Sequence, residues 1–259
     1  MRESGIIAAL RAKRPLVHCI ANIVTANDCA NVLYAAGASP MMAEAVEEMV
    51  PVTALADSAV LNTGTPSAAK YAAAKICLVE SLKLGKPVVL DPVGAGSNEW
   101  RRENIAAILE CGSPDIVRVN LAEAEALLGM GGSEMGVDSP GRSDMELRTS
   151  VAERLASSLG CTVLLTGECD AVSDGTRTET VSGGSAMLPL ITGGGCMLSA
   201  LCGAFVAVER DAYIAALSAA RYWKRCAELA EKYSEGRGPG SLRQSLMDAA
   251  HAMTDEAMN

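Results

Sequence analysis

Short apolar segments alternate with longer amphipathic ones along most of the chain, and this alternation limits the possible fold more than any other feature. The segments PLVHCI, AVLNTG, PVVLDPV, DIVRVN and CTVLLTG have the composition of buried strands. Between them, TANDCANVLYAAG and LAEAEALLG carry the apolar spacing of helices. Strands joined by helices form a mainly parallel sheet covered on both faces. The sequence therefore predicts a three-layer α/β fold, with residues 1–259 forming a single domain.

Three further expectations concern local structure. The segment EAVEEMVPVTALAD predicts an acidic helix that is interrupted at Pro51. The apolar run from Leu188 to Thr192 predicts a strand that leads through a glycine turn into a helix. A polar stretch rich in glycine and serine, residues 129–143, predicts an exposed loop.

Composition excludes several classes of function. The net charge of -9 disfavours a partner with a phosphate backbone, and the aromatic content of 3% leaves few platforms for stacking nucleic-acid bases. The nine cysteines include no C-x-x-C pair, which favours reduced thiols and a cytoplasmic location. The apolar runs are too short or too interrupted to span a bilayer, and the N-terminal run is too short for a signal peptide. We expect a cytoplasmic protein that acts on small molecules.

Polar residues follow one predicted strand after another, at the sheet edge where α/β proteins bind ligands. Asp91 and Glu123 are carboxylates at two such positions, and hard oxygen ligands of this kind suit Mg²⁺. The alternative makes Asp91 a turn residue before a proline and Glu123 an ordinary acid in the first turn of a helix. Arg118 and Thr166 are candidates for contacting nucleotide phosphates, although each also suits a structural role.

The sequence Gly193-Gly194-Gly195-Cys196 marks the start of a predicted helix. Glycines permit unusual backbone angles, and the free N–H groups of a helix start bind anions. A cysteine at such a position can have its pKa lowered from about 8.5 to about 3.5–7.5, so Cys196 is a candidate base for a substrate hydroxyl. The competing interpretation is a small buried cysteine beside a packing turn.

Other motifs are missing or weak. No P-loop and no dinucleotide fingerprint occurs in the chain. His18 and His251 are its two histidines, and their spacing leaves a cysteine–histidine hydrolase open as an alternative. Met42, at a predicted strand end, suits either core packing or contact with a small apolar ligand.

Five segments in this order resemble the hydroxyethylthiazole kinase family of thiamine synthesis, part of the ribokinase-like superfamily. They are PLVHCIANIVTANDCANVLYAAGASPMMAEAVEEM, VVLDPVGAG, VRVNLAEAEAL, LLTGECDAVSDG and ITGGGCMLSAL. The resemblance implies ATP-dependent phosphorylation of the primary alcohol of 5-(2-hydroxyethyl)-4-methylthiazole, with Mg²⁺ as cofactor. It also implies a homotrimer with substrate pockets at subunit interfaces.

The resemblance assigns roles to individual residues. Met42, Asn22 and Gly193 correspond to substrate-binding positions, and Arg118 and Thr166 to ATP-binding positions. Cys196 stands where most ribokinase-like enzymes have a catalytic aspartate.

The remaining roles concern charge. Asp91 and Glu123 correspond to acidic positions associated with Mg²⁺ and the phosphates. The amides of Gly194 and Gly195 would form an anion hole with that of Cys196.

Two positions depart from the family pattern. The family usually reads T-G-T-G-C at the anion turn, where this chain has Gly194 in place of the second threonine, and usually R-G-N where this chain has Val119. The first change predicts a floppier turn and the second a shifted nucleotide pocket. Three alternative functions therefore stay open: a kinase for another small alcohol such as hydroxymethylpyrimidine, a nucleotide-dependent dehydratase, and a non-catalytic nucleotide sensor.

Overall fold

The computed structural model describes residues 5–129 and 144–258, and its strands lie in one sheet. The strand order is β2-β1-β3-β4-β5-β6-β7-β8. Strands β1 to β6 pair in parallel, and β7 and β8 extend the sheet as an antiparallel hairpin. The strands are β1 Leu16–Ile20, β2 Ser39–Met42, β3 Ser58–Asn62, β4 Val88–Asp91, β5 Ile116–Asn120, β6 Thr162–Thr166, β7 Asp170–Ser173 and β8 Thr178–Val181.

Helices cover both faces of this sheet, which confirms the predicted three-layer α/β class. One apolar core joins the sheet to α1, α2 and α8–α11, and a second joins its other face to α3–α7. The helices are α1 Ile6–Lys13, α2 Ala26–Ala36, α3 Met49–Leu55, α4 Ala68–Lys83, α5 Glu99–Leu109, α6 Leu121–Leu127, α7 Asp144–Leu159, α8 Gly194–Val206, α9 Ala212–Tyr233, α10 Pro239–Ala252 and α11 Asp255–Met258.

Most of the predicted elements are present, and local chemistry explains where they end. Helix α2 stops at Gly37, which takes a φ of 105° that few other residues tolerate. Helix α4 begins after Ser67, whose hydroxyl accepts a hydrogen bond from the Lys70 amide. The hairpin of β7 and β8 contains the two hairpin-like segments that follow β6.

Two local predictions were wrong, both at prolines. Pro51 does not interrupt a helix, because it lies in the first turn of α3, where the missing N–H removes no helical hydrogen bond. The segment Leu188–Leu190 is a 3-10 turn and not a strand. Pro189 has no N–H for a sheet ladder, and the amide of Ile191 instead bonds the carbonyl of Leu188 at 3.0 Å.

Residues 130–143, which make up nearly all of the predicted exposed loop, lie outside the described residues. Within the described ranges, no helix combines the length and apolar character that crossing a bilayer requires.

The register of the sheet brings several polar strand ends to one edge. Asn62 lies beside Asp91 across β3 and β4, and Asn120 lies beside Thr166 across β5 and β6. The start of α8 lies at the same edge, since Asn62 also contacts Cys196. The fold therefore collects the predicted site residues from distant parts of the chain.

Candidate active site

Asp91 is the buried centre of the site. Its side chain is 0% exposed at the end of β4. Its Oδ2 accepts hydrogen bonds from Nδ2 of Asn62 at 2.7 Å and Oγ of Ser199 at 2.8 Å. Its Oδ1 lies 3.5 Å from Nη1 of Arg118. Each oxygen thus has a partner, and a buried carboxylate needs such partners to remain charged.

Arg118 connects this carboxylate to the end of the next strand. Its Nη2 donates to Oγ1 of Thr166 at 2.7 Å, and that hydroxyl donates to the carbonyl of Val119 at 3.2 Å. Burial lowers the pKa of Arg118, but the nearby carboxylates of Asp91 and Glu123 outweigh burial and raise it. The guanidinium is therefore a fixed positive charge at the mouth of the glycine turn.

The three glycines of the turn have different surroundings. Gly193 has a φ of 94°, and a Cβ there would lie 2.6 Å from Cγ2 of Thr25. A Cβ on Gly195 would lie 2.5 Å from Cζ of Arg118, so the guanidinium packs on the bare backbone of this residue. Among the described residues, no heavy atom outside the adjacent residues and the backbone of α8 lies within 4 Å of the corresponding position on Gly194. The positive φ and the contact with Thr25 thus favour glycine at position 193, and a side chain at position 195 would force the Arg118 guanidinium to move.

Backbone amides at the start of α8 are free to bind an anion. The amide of Met197 makes the first bond of the helix, to the carbonyl of Gly193 at 2.8 Å. The amides of Gly194, Gly195 and Cys196 precede it and have no partner within the helix. They form a donor cluster at the positive end of the helix dipole.

Cys196 lies next to Asp91 in this cluster, and its Sγ accepts a hydrogen bond from Nδ2 of Asn62 at 3.3 Å. Burial raises the pKa of Cys196, and the Asp91 carboxylate raises it further, whereas Asn62 and Arg118 offset only part of the shift. The sequence-based expectation of a lowered pKa is therefore wrong. Burial is the largest cause of the raised pKa.

Glu123 caps the helix that follows β5. Its Oε1 accepts the amide of Gly94 at 2.8 Å, and its Oε2 accepts the amide of Asn120 at 2.9 Å. Burial raises the pKa of Glu123 and Asp91 raises it further, whereas the two amides and Arg118 lower it. The structural interpretation of Glu123 as a first-turn acid is thus confirmed, and the residue also lies within the electrostatic reach of Asp91.

Asn22 and Met42 lie at the carboxyl ends of the neighbouring strands β1 and β2. Met42 is 39% exposed at the end of β2, and Asn22 is partly exposed just after β1. The carbonyl of Asn22 accepts the amide of Thr25 at 3.0 Å, and Thr25 contacts the glycine turn. The two predicted substrate residues thus lie at the same sheet edge as Cys196.

The histidines do not serve this site. His18 is 0% exposed, with Nε2 donating to the carbonyl of Ala43 at 2.9 Å and Nδ1 lying 3.5 Å from Sγ of Cys77. Burial lowers the pKa of His18, which keeps its ring neutral. His251 is at the exposed end of α10. Neither ring contacts Cys196, and the Cys77 thiol beside His18 is fully buried. The structure therefore provides no accessible cysteine–histidine pair at this site, which contradicts the cysteine–histidine hydrolase.

An open cavity of about 420 Å³ adjoins the glycine turn. Arg118, Thr166 and the three glycines line its polar side. Its apolar side is formed by Leu188, Pro189, Ile191, Leu198 and Trp223. Glu168 and Asp170 also line the cavity, and Asp170 is paired with Lys224. With Arg118 beside the glycine turn and an apolar wall opposite, the cavity suits a ligand with both a phosphate and a ring.

Comparison with known proteins agrees with this geometry. The model of the hydroxyethylthiazole kinase family matches residues 7–256. The chain belongs to this family. A hydroxyethylthiazole kinase of Listeria monocytogenes serotype 4a (strain HCC23) is 44% identical over 241 residues, covering 93% of this chain and 88% of the relative.

Solved structures support the same assignment. A hydroxyethylthiazole kinase of Pyrococcus horikoshii OT3 superimposes with a TM-score of 0.90 at 36% identity, covering 98% of this chain and 94% of that chain. A ribokinase-like superfamily protein of Enterococcus faecalis V583 gives a TM-score of 0.62 at 14% identity, covering 95% and 89% of the two chains, and supports the fold alone. The fold is therefore ribokinase-like, as the resemblance implied.

The structure also locates the two departures from the usual pattern of the hydroxyethylthiazole kinase family. Val119 is fully buried in the core beneath the sheet and is not among the residues lining the cavity beside Arg118. The shifted nucleotide pocket that this residue led us to expect is thus not supported. Gly194 has helical backbone and open space around it.

Three residues that contact the predicted site residues or line the cavity were missed from the sequence. Asn62 bridges Asp91 and Cys196, and the rule that polar strand ends converge would have found it in AVLNTG. Ser199 lies one helical turn after Cys196, where a lone hydroxyl in an apolar helix was the available signal. Lys224 had no local signal, because its partners come from the turn between β6 and β7.

Proposed function

We propose that this protein transfers the γ-phosphoryl group of ATP to the primary alcohol of 5-(2-hydroxyethyl)-4-methylthiazole, forming the thiazole phosphate used in thiamine synthesis. One observation carries the proposal. The free amides at the start of α8 face a cavity that also contains the Arg118–Thr166 pair, with Cys196 beside them. Membership of the hydroxyethylthiazole kinase family supplies the choice of acceptor.

The nucleotide is placed in the cavity beside the glycine turn. Arg118 would hold its phosphates as a fixed cation, with Thr166 fixing the direction of the guanidinium. The apolar wall that includes Leu188 and Trp223 would contact the base. Phosphoryl transfer needs mainly such positioning, together with stabilisation of the charge that develops on the phosphoryl oxygens.

The amides of Gly194, Gly195 and Cys196 would stabilise that developing charge. They are fixed at the start of a helix, so they need no rearrangement when the transition state forms. Gly193 permits this geometry through its positive φ, and Gly195 permits the close approach of Arg118.

Mg²⁺ fits the chemistry of the donors present. Burial is the main cause that raises the pKa of Glu123, and the nearby Asp91 carboxylate is a smaller one. The described residues contain no cluster of three or more possible ligands, so Asp91 and Glu123 would hold a divalent cation together with its waters. Their oxygens already accept protein hydrogen bonds, which suits a metal that keeps its own waters. When bound, Mg²⁺ would neutralise charge on the nucleotide phosphates.

The alcohol would lie between Asn22 and Met42 on one side and Cys196 on the other. Burial raises the pKa of Cys196, so the thiolate is a minor form near neutral pH and a strong base when it forms. A loose transition state releases the alcohol proton late, and the contribution of this base is therefore moderate.

We also propose a homotrimer with the acceptor pocket at a subunit interface, as the family resemblance implies. Ile23 and Val24 follow β1 with 76% and 63% of their surface exposed, next to the proposed alcohol pocket. Exposed aliphatic side chains at a ligand site indicate a surface that another subunit covers.

Incubation with ATP, Mg²⁺ and the thiazole alcohol, followed by mass spectrometry, tests the proposal. A product heavier by one phosphoryl group, together with stoichiometric ADP, is the expected result. Phosphorylation of hydroxymethylpyrimidine in preference to the thiazole would assign a different acceptor. ATP consumption without a phosphorylated alcohol, or nucleotide binding without turnover, would overturn the kinase.

A further inference from the structure

Lys70 is a buried ammonium group outside the residues to which a role has been given. It lies in the first turn of α4 and is 4% exposed. Its Nζ donates to the carbonyls of Ala21 at 2.6 Å and Gly64 at 3.1 Å, and to Oγ1 of Thr65 at 3.4 Å. It also pairs with Oε2 of Glu44 at 3.4 Å. Such a full set of partners offsets the cost of burying the charge.

These partners belong to three different loops. Ala21 follows β1 and directly precedes Asn22. Glu44 follows β2, two residues after Met42. Gly64 and Thr65 follow β3. One ammonium group therefore joins the three chain segments that leave the carboxyl ends of the strands on this side of the sheet.

Contacts among the loops show that they pack as a unit around Asn22. A Cβ on Gly64 would lie 2.5 Å from Nδ2 of Asn22, so the loop after β3 touches this amide directly. Oγ1 of Thr65 accepts the amide of Ile23 at 3.1 Å. Thr65 itself has a φ of 45°, which a β-branched residue adopts only when its surroundings enforce it.

We propose that Lys70 is a positioning residue of the acceptor pocket, holding the three loops so that Asn22 and Met42 face the alcohol. This inference rests on the proposed function, because it takes the pocket of Asn22 and Met42 as the alcohol site. Lys70 touches neither the nucleotide cavity nor the glycine turn. Its loss should therefore weaken use of the alcohol and leave nucleotide binding unchanged.

Two other lysines provide matched comparisons. Lys86 donates to the carbonyls of Thr53, Ala54 and Ala56, but it precedes β4 and so lies at the opposite end of the sheet. Lys224 donates to the carbonyls of Gly167 and Glu168, both at 3.0 Å, in the turn that lines the nucleotide cavity. All three ammonium groups bind carbonyls, but only Lys70 binds those of the acceptor loops.

The test compares Lys70→Met, Lys86→Met and Lys224→Met in the full-length protein. Steady-state kinetics are measured with the alcohol and ATP varied separately, and ADP affinity is measured by calorimetry. Lys70→Met should lower kcat/KM for the alcohol by about 10- to 100-fold, the scale of a misplaced substrate, while KM for ATP stays within about twofold. Lys86→Met should melt at a lower temperature with both KM values unchanged, and Lys224→Met should raise KM for ATP.

The inference would be overturned if Lys70→Met raised KM for the alcohol and KM for ATP equally. It would also be overturned if the variant changed neither KM nor kcat. If Lys70→Met does not fold, Glu44→Gln supplies the test, since this carboxylate is 56% exposed. We expect its KM for the alcohol to rise by about two- to fivefold, the range of an exposed ion pair, with KM for ATP constant. An unchanged alcohol KM would refute the role. Failure of the proposed function is distinguishable, because the wild-type protein would then form no thiazole phosphate.

Discussion

Adding one methyl group at each glycine of the anion turn tests the site most directly. Gly194 and Gly195 are neighbours in the first turn of α8, so alanine changes the helix propensity similarly at both. Their surroundings differ: the position beside Gly194 is open, whereas that beside Gly195 is occupied by the Arg118 guanidinium. The two substitutions should therefore have opposite effects.

The expected magnitudes follow from these contacts. Gly194→Ala should be neutral or stabilising by up to about 1 kcal/mol, because alanine loses less backbone entropy than glycine on folding. Gly195→Ala displaces the guanidinium, breaking its bonds to Thr166 and Asp91. Disturbing a buried, hydrogen-bonded ion pair costs about 3 kcal/mol. For a protein of this size, that cost corresponds to a Tm lower by roughly 6–12 °C.

Gly193→Ala should fall between these two cases in its effect on the free energy of unfolding. Its φ of 94° imposes a cost of about 1–2 kcal/mol on any residue with a Cβ. Crowding against Thr25 adds to that cost without moving Arg118.

Thermal melting and steady-state kinetics of the three variants provide the measurement. Gly195→Ala should also lower kcat by about 10²–10³-fold, as loss of an aligned charge-stabilising group does. A Gly195→Ala protein with wild-type Tm and kcat would refute the placement of Arg118 over the turn. Gly194→Thr, which restores the sequence usual in the family, serves as the control and should retain full activity.

The remaining predictions concern the base, the buried histidine and the metal. Cys196→Ala should lower kcat by up to about 10²–10⁴-fold without changing ADP affinity. Full turnover of this variant would exclude Cys196 as the base. Cys196→Asp should retain activity. Burial lowers the pKa of His18, so the unfolded chain binds a proton more readily and stability is lost as pH falls below about 6.5. His18→Gln keeps an N–H donor and should lose less stability between pH 7.5 and 5.5 in urea titrations; equal losses would contradict this. Chelating Mg²⁺ should abolish turnover while leaving the Tm of the nucleotide-free protein unchanged, and turnover that survives chelation would exclude the metal.

Much of the site could be predicted from the sequence because its polar side chains lie at the ends of strands. Asp91, Arg118 and Thr166 each end or nearly end a segment with strand composition, and parallel strands bring such ends to one edge. The same reasoning would have found Asn62. Ordered motifs then indicated the family without any structure.

The features that could be read from the chain alone are local. They are the apolar spacing of the strands and helices, the end of α2 at Gly37 and the glycines that expose the amides of α8. The direction in which the pKa of Cys196 shifts, the packing of Arg118 against Gly195 and the convergence of three loops on Lys70 depend on the tertiary structure. This division arises because a residue's neighbours in sequence largely determine its backbone conformation and its tendency to be buried. Its pKa and contacts instead depend on groups that the sheet brings together from distant segments, such as Asp91 beside Cys196.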